Sequence, residues 1–297
     1  MDIELEINSV NDYANDIGAK TYHPHVSIIH YDEVGKIRHT LNRFNVYALF
    51  LQKNFPSNLT YGIGTYAQRN GSLLAYAPGQ IGGKADDGVK RQYYGWVLMF
   101  DAEFIQGTDI ERKLPDYHFF EYNTNEALYL TEEEKNVLNK VMENIRGELD
   151  RHATEAESDN IARDMLLLVL DYCNRFYARQ FKDVTTGSND ILSRFQQVLD
   201  DYYAKRQQYN RGVPTVSYCA GELFLSPSYF GDVIRQAIGQ SPKDYIRGYI
   251  IAKAKNLLLS GNNIAETSEE LGFEYPQHFT RVFKRATGKT PSQFLQK

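Results

Sequence analysis

Cysteine is scarce in this chain: its 297 residues include only Cys173 and Cys219, and both fall in helical patterns. That excludes a disulfide framework and a cysteine-built zinc site. No apolar run reaches the ~18 residues a membrane-spanning helix needs. The opening Met-Asp-Ile-Glu-Leu-Glu is acidic and lacks the basic-then-apolar order of a signal peptide. The expectation is a cytoplasmic protein with no membrane partner. GxGxxG, the P-loop, the nucleophile elbow and HExxH are all missing, so no catalytic residue and no cofactor is assigned.

Aromatic side chains, by contrast, are abundant, with 22 Tyr and 16 Phe in an otherwise ordinary composition of 42% apolar and 24% charged residues. The length suits two domains. The net charge of −5 is unevenly spread: residues 188–297 hold 14 Lys+Arg against 10 Asp+Glu, and residues 1–187 hold 19 against 28. A basic half beside an acidic one points to a nucleic-acid partner for the basic half.

From about residue 20 to 125, short runs such as "HVSIIHY", "FNVYALFL", "LTYGIGTYAQ", "GSLLAYAP" and "YYGWVLMF" alternate with turn residues, which reads as an all-β barrel or sandwich. Trp96 to Phe100 is unbroken apolar sequence, as expected of a strand buried on both faces. At Thr131 the period changes. Thr131 and Glu134 form a capping-box pattern ahead of a stripe of Val137, Leu138, Val141, Met142, Ile145 and Leu149. A second helix is expected over about 158–181, its apolar face carrying Ile161, Met165, Leu168, Val169, Tyr172 and Phe176 and widened by Leu166, Leu167 and Leu170. Such a wide face fits either the β-domain or a partner chain. "KDVTTGSND", residues 182–190, reads as a linker, and helix follows to the end.

The C-terminal part repeats itself. Phe230, Val233, Ile234, Ala237, Gly239, Pro242 and Tyr245 recur 49 residues later as Phe279, Val282, Phe283, Ala286, Gly288, Pro291 and Phe294. Before the turn the offset is 48, pairing Leu223 with Leu271 and Leu225 with Phe273. Each copy reads as a short helix with a small inward residue (Ala220, Ser268), a tight turn, then a helix opened by Pro227 or Pro276 and closed by Gly239 or Gly288. Ser226 is a good N-cap and Tyr275 a poor one, while Ser241 to Asp244 and Thr290 to Gln293 cap further helices. The unit is a helix-turn-helix, present twice.

The outward face of each second helix carries the chemistry. Downstream it offers Gln277, His278, Arg281, Lys284 and Arg285, followed by Lys289; upstream it offers Ser228, Tyr229, Asp232 and Arg235. Arg and Gln make paired hydrogen bonds to guanine and adenine edges, and Lys suits phosphate. These ten residues are the candidate DNA-binding set, with unequal contributions because phosphate repels Asp232 unless a basic neighbour offsets it.

Residues 190–297 resemble the AraC-type DNA-binding domain. The likeness rests on Leu271-Gly272-Phe273, Phe279, Arg281 to Lys284, Gly288 and Thr290-Pro291-Ser292. In the first copy it rests on Leu225-Ser226, Tyr229-Phe230, Gly239 to Pro242, Ala254 and Leu257-Leu258. Departures are Ile250 for a usual Arg, Ser268 for Ala and Phe224 for Gly. The β-rich segment and its two helices resemble the cupin-like sensor that precedes this domain in many such regulators. The resemblance implies an α+β chain. Residues 1–181 form a cupin-like effector-sensing β-barrel with a helical dimerisation pair, 182–190 a linker, and 191–297 an all-α double helix-turn-helix. It implies a transcription regulator that binds double-stranded DNA, answers to a small-molecule effector, forms a homodimer and works with RNA polymerase.

Tyr61, Tyr66, Tyr76, Tyr94 and Trp96, with Tyr93, are candidates to stack on an effector or to fill the barrel core. His23, His25 and His30 read as structural, since no acid follows at a metal-cupin spacing. Two other readings stay open: a metal-dependent cupin enzyme with a regulatory tail, and a DNA binder whose first half only dimerises.

Overall fold

A computed structural model describes residues 3–53, 60–61, 64–65, 71–152, 156–187 and 190–296. Its contacts divide the chain into Met1–Gln180 and Phe181–Lys297.

The first unit holds β1 (Leu5–Ile7), β2 (Val26–His30), β3 (Leu41–Phe44), β4 (Tyr47–Gln52), β5 (Thr60–Tyr61), β6 (Gly64–Thr65), β7 (Ser72–Tyr76), β8 (Ile81–Gly83), β9 (Gly95–Phe100) and β10 (Leu128–Tyr129). A five-stranded sheet in the order β10-β7-β4-β9-β2 is antiparallel throughout. A three-stranded sheet, β1-β3-β8, pairs β1 with β3 in parallel. β5 and β6, among the described residues, form a two-stranded sheet of their own. Among the described residues no ladder joins the two larger sheets into the closed ring expected of a barrel. One core cluster, including Ile7, Phe44, Phe50, Tyr76, Val97 and Met99, draws on both sheets.

β9 is buried at every position, as its unbroken apolar run implied. Alternation sends Val97 and Met99 into that core and Trp96, Leu98 and Phe100 to the opposite face. The region after β9, read as β-rich, turns helical instead, as α2 (Ala102–Ile105) and α3 (Asp109–Lys113), in addition to α1 (Asp12–Ile17) near the start. Asp101 starts the change by accepting a hydrogen bond from the Phe104 amide at 2.9 Å, an N-cap that outweighs the β-propensity of its neighbours.

α4 (Glu132–His152) opens with the expected reciprocal Thr131–Glu134 bonds, at 3.2 and 2.9 Å. Leu138, Met142, Ile145 and Leu149 are fully buried, and the helix packs on β2 and β9. There the Arg146 guanidinium lies 5.2 Å from the Trp96 ring. α5 (Ala156–Gly187) runs across the division between units and through the first six residues of the expected linker. Extending a formed helix costs only the propensity of each added residue, under ~1 kcal/mol for Thr or Gly, whereas a new nucleus is costly. Its buried face is Ala162, Leu166, Val169, Leu170, Cys173, Phe176 and Tyr177. Ile161 and Leu168, expected inward, are 42% and 43% exposed.

The three histidines do not converge. His23 Nε2 faces Asp159 at 3.2 Å, His25 lies 3.0 Å from Asp101 and 3.6 Å from Glu103, and His30 lies 3.9 Å from Asp32. Among the described residues no group of three or more His, Cys, Asp or Glu is placed to hold a metal ion, and no helix is long and apolar enough to cross a membrane. Burial pushes both cysteine thiols up to about 12, so each packs as a small apolar group.

The second unit is helical: α6 (Asp190–Ala204), α7 (Gln208–Arg211), α8 (Val216–Glu222), α9 (Pro227–Ile238), α10 (Pro242–Leu259), α11 (Ile264–Glu270), α12 (Pro276–Thr287) and α13 (Pro291–Leu295). α10 touches α8, α9, α11, α12 and α13, so both halves of the repeat share one core. Phe195, Phe230, Ile250, Leu271, Phe279 and Phe283 belong to that core. Ile250, which departs from the usual Arg, is 3% exposed and packs in that core.

Candidate nucleic-acid interface

The two helix-turn-helix units, α8–α9 and α11–α12, are built by the same local bonds. The Leu225 amide donates to the Ala220 carbonyl at 2.9 Å, and the Phe273 amide donates to the Ser268 carbonyl at 3.0 Å. Gly239 and Gly288, both left-handed, close α9 and α12 through their amides, which donate to the carbonyls of Arg235 (2.9 Å) and Lys284 (2.8 Å). Ser226 caps α9 by accepting from the Tyr229 amide, while Tyr275 makes no such bond for α12. Ser241 and Thr290 cap α10 and α13 in turn, though only Thr290 and Gln293 complete a reciprocal box.

The turns differ at one residue. Gly272 takes φ +84, and a Cβ there would lie 2.6 Å from the carbonyl carbon and oxygen of Gly212. Its counterpart Phe224 holds the same left-handed region at φ 60 and is 67% exposed. The second turn is roofed by another segment, the α7–Gly212 loop. Tyr202 and Tyr203 of α6 brace that region by donating to the carbonyls of Gly212 (2.8 Å) and Leu271 (3.2 Å). No sequence pattern signalled this brace.

In α12, Phe279 and Phe283 point inward at 0% exposure, and Gln277, His278, Arg281, Lys284 and Arg285 are exposed, as is Lys289 beyond it. One face is thus a basic comb on an aromatic root. Val282 is half-buried, and Ala286, expected inward, is exposed. In α9 the expected set is less open: Arg235 is exposed, while Ser228, Tyr229 and Asp232 are half-buried. Arg235 Nη1 donates to Asp232 Oδ1 at 2.7 Å, so the acid does have the basic neighbour its position requires. Lys253 and Lys255 lie over the Tyr203 and Phe294 rings at 4.9 and 6.0 Å, and Lys243 is exposed.

A helix-turn-helix domain family profile matches residues 219–297. The second unit carries an AraC-type helix-turn-helix domain. The chain is 35% identical over 134 residues to YesN, an uncharacterized transcriptional regulatory protein of Bacillus subtilis, a match covering 41% of this chain and 34% of YesN. It is 37% identical over 81 residues to the arabinose operon regulatory protein of Escherichia coli, covering 27% of each. The chain therefore spans about a third or less of the length of these two relatives. The C-terminal domain of AraT, a response regulator from Geobacillus stearothermophilus, is 28% identical and covers 36% of this chain and 84% of its own, with a TM-score of 0.31.

Of the five candidate effector residues, the three with described side chains, Tyr76, Tyr94 and Trp96, are not brought together. Tyr76 is buried between Phe44 and Phe50 in the inter-sheet core, with ring centroids at 4.5 and 5.7 Å. Trp96 lies on the other face of the sheet, against His30 at 4.3 Å. Tyr94 is 40% exposed. Tyr61 ends β5, and Tyr66 lies outside the described residues. Tyr93 joins Tyr31 in the core and bonds His39 at 2.7 Å.

Proposed function

We propose that this chain is a sequence-specific DNA-binding transcription regulator that acts with RNA polymerase, its β-rich unit a cupin-like module serving dimerisation and effector sensing. The observation that carries this is the α12 comb: basic and amide side chains exposed on a helix whose inward face is locked by Phe279 and Phe283. Gln277, His278 and Arg281 on the first turns are the base readers, and Lys284, Arg285 and Lys289 the phosphate anchors. In α9, Ser228 and Tyr229 at the helix start approach the DNA with Arg235. Arg281→Ala should relax preference at one base pair and cost about 1–3 kcal/mol on the preferred site. Equal loss on every sequence would contradict a base-reading role.

Homodimerisation through α5 is supported by a 4-3-4 seam of Ile161, Met165, Leu168 and Tyr172, half-buried or exposed outside the unit's own core. Exposed Glu157 and Asp164 precede Leu168, and exposed Arg175 follows it, so an antiparallel second copy sets acid against base. Leu168→Glu should yield monomers in sedimentation equilibrium; an unchanged dimer rejects this face. An effector for the β-rich unit would raise its melting transition, by about 2.7 kcal/mol of stabilisation at 100 times Kd.

A further inference from the structure

We propose that Asp232 is a base-reading residue that makes the first helix-turn-helix unit select cytosine. The inference rests on the DNA-binding reading above and assigns the base class of its first half-site. Asp232 and Arg281 occupy the same place in the repeat, 49 residues apart, each two residues after the inward phenylalanine of its helix (Phe230, Phe279). The position that presents a guanidinium in one unit therefore presents a carboxylate in the other.

The two groups read opposite edges. A guanidinium donates twice, to guanine O6 and N7, whereas an ionised carboxylate only accepts. In the major groove the amino donors are cytosine N4 and adenine N6, and adenine places its N7 acceptor beside the donor, where it repels a carboxylate. Cytosine is what remains.

An acid near phosphates must also be neutralised. Arg235, one turn further along α9, does this through the 2.7 Å bond to Asp232 Oδ1. Its side chain is 55% exposed while that of Asp232 is 15% exposed, so the cation still reaches solvent. In the repeat, Arg235 matches Lys284, a phosphate anchor in the second unit. On DNA, Arg235 turns toward a phosphate while Asp232 accepts from cytosine N4, and the pair enters the groove without net charge. The full site then carries a guanine under Arg281 and a cytosine under Asp232, about one helical turn apart.

Binding selection from a randomised duplex pool tests this with the full chain, comparing wild type with Asp232→Asn, Asp232→Arg and Arg235→Ala. Wild type should select cytosine at one position of the first half-site, and changing it should weaken binding roughly 5- to 100-fold. Asp232→Asn should move that preference to adenine, which an amide contacts on two atoms, and Asp232→Arg should move it to guanine. Arg235→Ala should keep the cytosine and make the salt dependence shallower by about one. The near-isosteric Asp232→Asn carries the test if Asp232→Arg fails to fold, with thermal melting as the check. The proposal is overturned if Asp232→Asn tightens binding on all sequences alike and leaves selection unchanged, because Asp232 then only repels phosphate. If wild type selects no sequence at all, the DNA-reading function itself fails, which is a separate result.

Discussion

Gly272→Ala should destabilise the AraC-type domain by about 2–5 kcal/mol, from two separable causes. An L-residue in the left-handed region at φ +84 costs about 1–2 kcal/mol. The added methyl would also lie 2.6 Å from two backbone atoms of Gly212 and 3.0 Å from the Gln208 Cβ. Backbone cannot swing aside as a side chain can, and overpacking of this kind costs about 1–3 kcal/mol. The 208–212 segment would have to move, and with it the 2.8 Å bond from the Tyr202 hydroxyl to the Gly212 carbonyl. Gly239→Ala is the control, since its φ is +69 with nothing within 4 Å of the new Cβ, leaving only the conformational cost of about 1–2 kcal/mol. Urea unfolding of the full chain, followed by amide exchange in α8 to α12, separates this domain from the first unit. Equal costs for the two variants would refute the close approach of Gly212 to the second turn.

Two further predictions concern buried polar groups. Ser268 is 1% exposed and its hydroxyl has no hydrogen-bond partner among the described residues, so Ser268→Ala should raise the urea midpoint by about 1 kcal/mol equivalent, and a lower midpoint would contradict that account. His23 is 8% exposed and its Nδ1 accepts from the His25 amide at 3.1 Å; burial is the main cause that holds its pKa below 6.5, against the pull of Asp159. Because the unfolded chain takes up that proton first, stability of the first unit should fall as pH drops below about 6.5. His23→Gln should flatten that dependence in urea titrations, and an unchanged slope assigns it to other groups.

The C-terminal reading worked because its signals are local. Capping hydroxyls, prolines at the first helical position and glycines at the end act within one turn, and the repeat displays each of them twice. Where distance or facing decides, the sequence was mute. Tyr76 and Trp96 looked like one aromatic wall, but the ladders align Tyr76 with Ala48 and Met99 on one face and Trp96 with Leu51 and Leu73 on the other. α5 carries apolar residues around so much of its circumference that its pattern allows two faces, and packing chose the one with Val169 and Phe176. The contact of Gly212 with Gly272 joins segments 60 residues apart, and glycine shows in sequence only that a Cβ is missing.

The most direct test of sequence-specific DNA binding by the paired helix-turn-helix units is full-chain affinity for its selected duplex and for random duplex across a salt series. Both affinities should fall linearly with log salt, with a slope of −0.9 per phosphate neutralised, and Lys289→Ala should make both slopes shallower by about one. The selected duplex should bind at least ~1,000-fold more tightly than the random one. Folded chain that binds neither duplex even at low salt, or both equally, would contradict it.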